Sequence, residues 1–246
     1  MILRVTLTAL LVFGATVGVA AQEKISINDC RCEPQTISLK KPNGSAETTK
    51  RAGETQYAYD FAQSEFYIRH IKIEHGTTGR GKISFERKGL DDPIIENFEL
   101  SQTARERITA LWDALGFIDS TASYQSEKQF PHLGTVHLTM KREGRERTAE
   151  FNWTNDPNAF ALINEYRRAA DQAIFVFDIN LAREHQPLEA PKLLDQLDSM
   201  LKRNGLSDPQ QLLALLRDLN TDERIPLIAR NHAARLVKKI EGKHGA

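Results

Sequence analysis

The chain of 246 residues carries 33 Lys and Arg against 33 Asp and Glu, with 40% hydrophobic residues and two cysteines. Balanced charge argues against a dedicated nucleic-acid binder, and the hydrophobic content is enough to bury a core in one large domain or two smaller ones. No second run of 18 apolar residues follows the N-terminal one, so no further membrane crossing is expected.

Residues 1–21, MILRVTLTALLVFGATVGVAA, read as a signal peptide. Arg4 supplies the positive start, Val5 to Val19 form an uncharged stretch of 15 residues, and Val19-Ala20-Ala21 places small residues before a cut at Gln22. The expected location is therefore extracytoplasmic, periplasmic or secreted, with no membrane contact once the leader is cleaved. The second reading is an uncleaved anchor, because Val5 to Ala21 is at the lower edge of what spans a bilayer. Without Arg4 the net charge becomes −1.

Cys30 and Cys32, in NDCRCEP, are the only cysteines. In an oxidising compartment they are disulfide candidates, within the chain or between chains. A bridge across one residue closes a strained ring, so inert thiols are the second reading and a metal or redox role the third. A zinc site would need two further ligands at defined spacing, and the nearest histidine is His70. Residues 22–60 read as a polar flexible segment rich in Lys, Thr, Gly, Glu and Pro, with one short strand at Gln35 to Lys40.

Residues 61–155 read as an antiparallel sheet plus a helix. Ile71 and Ile73, then Ile83 and Phe85 after a GTTGRG turn, alternate with polar residues and predict one hairpin. Val136, Leu138 and Met140, answered by Ala149, Phe151 and Trp153, predict another. Between them, Ala104, Ile108, Leu111 and Leu115 have helical spacing, with Ser101 or Thr103 as cap and Gly116 as stop. Trp112 and Trp153 both fall on apolar faces and are expected in the core. Asp91-Asp92-Pro93 reads as turn chemistry.

Residues 156–246 read as helical. Asp156-Pro157 opens a long helix running to about Glu184, in which Ile174 to Ile179 could alternatively form a buried strand. Further helices are expected at Ala190 to Arg203, at Pro209 to Leu219 behind Ser207 or Asp208, and at Asp222 to Glu241 behind Thr221. The fold class expected is α+β, with a four-stranded antiparallel sheet made of two hairpins, a helix on one face, and a C-terminal all-helical segment.

Two resemblances follow from these residues. The run LLALLRDLNTDERIPLIARNHAARLVKKIEG resembles a single HEAT-type repeat, with its leucine-rich first helix, aspartate turn and early proline in the second helix. Tyr67 to Gln172 resembles, in layout, uncharacterised secreted bacterial domains with a hairpin, a helix, a second hairpin and a closing helix. That resemblance implies an extracytoplasmic bacterial location and transfers no catalytic residue.

No nucleophile elbow, HExxH, phosphate loop or dinucleotide fingerprint is present, and no cofactor is expected. His70, Glu74, Glu86, His137 and Glu150 share the polar strand face and form the candidate set for a dispersed acid–base or metal site. His70 and His75, five apart on a strand, should point to opposite faces. The expectation leans to a non-catalytic binding or structural module whose partner is another protein or an envelope component, with no nucleic-acid partner. The alternative is an extracytoplasmic hydrolase using the His/Glu set. The tip of the first hairpin is the expected contact surface.

Overall fold

The structure is a computed structural model that describes residues 54–242; residues 1–21, expected to be a signal peptide, Cys30, Cys32 and the strand expected at Gln35 to Lys40 lie outside the described residues. Six strands form one antiparallel sheet: β1 (Gln56–Ala62), β2 (Ile68–Gly76), β3 (Arg80–Arg87), β4 (Ile94–Glu99), β5 (Thr135–Arg142) and β6 (Arg145–Phe151). Their order is β4-β3-β2-β1-β5-β6. The expected four strands are thus corrected to six.

Of the two added strands, β1 falls mostly in the segment that reads as polar, and β4 follows the Asp91-Asp92-Pro93 turn. β1 lies in the centre of the sheet, pairing Asp60 with Lys72 on one side and with His137 on the other. It straddles the boundary expected at residues 60 and 61. Its pattern is period two, since Tyr57, Tyr59 and Phe61 are buried while Ala58 and Asp60 face outward, but the burying residues are mostly tyrosines. β4 is an edge strand in which Phe98 alone is fully buried, so alternation is almost absent from its sequence. The β5–β6 turn is built on Glu143 and Gly144, both at positive φ (53° and 77°), between the paired Arg142 and Arg145. That is the type I′ geometry whose twist matches the flanking strands.

Two helices, not one, cover the same face. α1 (Gln102–Ala114) is capped by Ser101, whose hydroxyl accepts from the Ala104 amide, and buries Ala104, Ile108 and Trp112. α2 (Pro157–His185) starts where the Asp156 carboxylate accepts from the Asn158 and Ala159 amides. Ile174 to Ile179 is helical, and the run serves two cores. Leu162, Tyr166 and Ala170 pack on the sheet, while Phe175 and Ile179 pack with the C-terminal helices.

Those helices are α3 (Ala190–Lys202), α4 (Leu213–Thr221) and α5 (Leu227–Gly242), with a 3-10 turn at Pro209–Leu212 capped by Asp208. Thr221 ends α4 instead of capping the last helix. α5 begins after Pro226, because proline disfavours helical backbone at the residue before it and supplies no amide. Asp222 therefore follows the end of α4 instead of opening α5, and it is gripped by Arg224 and Arg183, which hold its carboxyl well below the usual carboxylate range. No helix among the described residues is long and apolar enough to cross a membrane.

Candidate functional site

The outer sheet face brings four of the five expected residues into one row. His70 Nε2 lies 3.1 Å from Asp60 Oδ1, and its Nδ1 lies 3.3 Å from Glu86. His137 Nδ1 lies 3.9 Å from the same Asp60 oxygen, and its Nε2 lies 3.3 Å from Glu150. Asp60, on the unexpected central strand, therefore joins the two histidines. Glu74 is not part of the row and pairs with Lys72 at 2.9 Å.

Both nitrogens of each ring face carboxylates, and only a doubly protonated imidazole donates on both sides. The groups thus spend their hydrogen-bonding capacity on one another. Arg69 takes the other oxygen of Glu86 at 2.9 Å. Among the described residues no group of three or more His, Cys, Asp or Glu is arranged to hold a metal ion. Ion pairs this exposed contribute about 0–1 kcal/mol each.

The inner face treats histidine differently. His75 is buried, and its Nδ1 donates to the Gly76 carbonyl at 2.8 Å, which leaves Nε2 as an acceptor. The Tyr166 hydroxyl, 2.8 Å away, donates to it and accepts in turn from Trp112 Nε1–H at 3.0 Å. Burial pushes the proton affinity of His75 below the ordinary histidine value and that of the Tyr166 hydroxyl upward, so both stay neutral.

At the end of the sheet near Phe61 this inner face runs out of helical cover, and a cavity of about 630 Å³ opens there. Tyr59, Phe61 and Ile71 line its strand side. Phe66 and Tyr67, from the β1–β2 loop, line it further; that loop is pinned because Gln63 Nε2 donates to the Pro131 and His132 carbonyls at 3.1 and 2.8 Å. Trp153 and Phe160 complete the aromatic lining, their rings 6.0 Å apart and tilted by 62°. Asn152 holds the Trp153 segment in place, its side-chain oxygen accepting from the Phe130 amide at 3.1 Å.

Helix α2 supplies the polar groups. Phe160, Ile163, Arg167 and Asp171 follow one another at helical spacing and all line the cavity. Arg167 stacks over the Phe61 ring at 5.7 Å and forms no ion pair among the described residues. The Tyr59 hydroxyl is fully buried and its proton has no acceptor; burial raises it to about 12, with the charge of the neighbouring Arg167 and a hydrogen bond from it pulling the other way. Asp171 keeps solvent access at its surface, yet the protein packed around it raises its carboxyl above the usual range, opposed by Arg203 and Arg167.

No protein-family model matches the chain, and no curated protein matches it. The cavity must therefore be judged by its own chemistry. Its volume falls within the ordinary range for small-molecule sites, about 300–1,000 Å³. Phe66, Tyr67, Trp153 and Phe160 are four of the ten large hydrophobic residues left exposed among the described residues, and they stand together. Trp153, expected in the core, is 36% exposed, whereas Trp112 is 0% exposed. The difference arises because β6 ends at Phe151, so strand alternation no longer aims the residue two positions on.

The first hairpin's tip is not a free loop: the Leu100 amide donates to the Gly79 carbonyl at 3.0 Å and Arg105 donates to the Thr78 carbonyl at 3.3 Å. Gly81 allows this fold, since a Cβ there would sit 1.8 Å from the Glu74 carbonyl oxygen.

Proposed function

We propose that this chain is a non-catalytic binding module of an extracytoplasmic compartment and that it takes an apolar ligand in the aromatic cavity beside α2. The compartment follows from the leader-like residues 1–21. The observation that carries the binding role is the clustering of Phe66, Tyr67, Trp153 and Phe160, exposed together around one cavity. Contiguous exposed apolar surface opposes folding unless something covers it, which is why such patches mark interaction sites. Three ordered supports, the Gln63 clamp, the Asn152 bond and the Asp156 cap, hold the lining residues in place without a ligand.

Trp153 is a built-in reporter. Titrating the mature chain with decanol should change its tryptophan fluorescence saturably, and the change should vanish in Trp153→Phe. A linear, non-saturating response identical in both proteins would refute the reading.

The alternative is a hydrolase using His70 and His137, favoured by their convergence on Asp60. Against it stand the pairing of every nitrogen with a carboxylate and the separation of these residues from the cavity lining. Acid–base catalysis needs a group within reach of a bound substrate's proton.

A further inference from the structure

The cavity's polar groups are unequal in sign. Tyr59 contributes a buried hydroxyl whose proton has no acceptor. Arg167, beside it, has no carboxylate within ion-pair distance among the described residues. A shallow depression shares Phe160, Arg167 and Asp171 with the cavity and adds Arg168 and Arg203. Arg168 is taken by Glu165, so Arg167 and Arg203 face the single carboxylate of Asp171 and the rim keeps a surplus positive charge.

Donors without acceptors at the edge of an aromatic cavity call for an anion carrying an apolar chain. Resting on the binding role proposed above, we propose that the ligand is a monomeric amphipathic carboxylate, its chain among Phe61, Trp153 and Phe160 and its head group at Arg167, Arg203 and the Tyr59 hydroxyl. A carboxylate there would accept the unused Tyr59 proton and form charge-assisted bonds with the guanidinium groups. Arg167 already sits over the Phe61 ring, 5.7 Å from its centroid, a cation–π contact that restrains the side chain before binding.

The test compares decanoate with decanol, which share a chain and differ in head group, using Trp153 fluorescence of the mature protein. Decanoate should bind about tenfold or more tightly than decanol, a preference that charge-assisted hydrogen bonds can supply and that added salt should reduce. Arg167→Gln should erase the preference, read as the ratio of decanoate to decanol affinity measured in that same variant. Arg203→Gln, at an exposed position where folding is not at risk, should reduce it about threefold, as expected of a partly screened rim charge. Equal binding of the two probes, or a preference that survives both substitutions, would overturn head-group recognition and leave the cavity's binding role standing. No response to either probe would remove both. A response to phosphatidylglycerol vesicles without one to decanoate would overturn the monomeric ligand.

Discussion

The two faces of the sheet carry the same residue type in opposite conditions. On the inner face, His75 is buried, neutral and fixed in one tautomer by Tyr166 and Gly76. On the outer face, His70 and His137 sit among Asp60, Glu86 and Glu150 and keep contact with solvent. Reactive residue types are thus spent on structure in both places: the inner chain satisfies buried polar atoms, and the outer row pairs its side chains with one another. Where the inner face loses its cover, by contrast, the buried Tyr59 proton has no acceptor and Arg167 has no carboxylate partner among the described residues.

The sharpest contrast between the faces should appear in stability. Trp112, fully buried in the helix-covered core, should cost about 3–5 kcal/mol when replaced by alanine, read by urea denaturation. Tyr166→Phe leaves the core's volume nearly intact but strands the Trp112 indole N–H and the His75 ring nitrogen. It should cost about 2 kcal/mol, the penalty of buried polar groups left without partners.

Acid should reach the inner face next. The folded protein holds the affinity of His75 below the unfolded value of about 6.5, so the unfolded chain binds more protons as pH falls beneath that point. His75 then contributes stability that is full above about pH 6.5 and declines below it. Thermal melting at pH 7.5 and pH 5, as conditions of about that separation, should show a drop that Tyr166→Phe, already lacking the chain, makes smaller. The smallest effect belongs to the outer face: Asp60→Asn should change stability by under about 1 kcal/mol despite touching both histidines. A larger loss there would mean that the row is a structural element in its own right.

The helices, both hairpins and the α2 start were readable because spacing and caps agree in them: Ser101 and Asp156 cap where the apolar rhythm begins. β1 was hidden because Tyr57 and Tyr59 follow a long polar stretch, and with it went Asp60, the residue that links His70 to His137. His75 and His70 do fall on opposite faces, as their odd spacing requires. The cavity was unreadable for a different reason. Its lining comes from β1, a loop, the residue after β6 and α2, so no local pattern unites it, although Phe160, Ile163, Arg167 and Asp171 form a stripe that turns from apolar to charged.

The account stands or falls on where a ligand binds. Decanol titration, followed through Trp153, separates the two regions when run on the wild-type chain, on Phe160→Asp, and on a chain carrying both His70→Gln and His137→Gln. Phe160 is exposed in the first turn of α2, where an acidic residue suits the helix dipole, so the variant should fold. Phe160→Asp should abolish the saturable response, and the double histidine variant should keep it unchanged. Binding that survives Phe160→Asp and disappears with the histidines would contradict binding in the cavity.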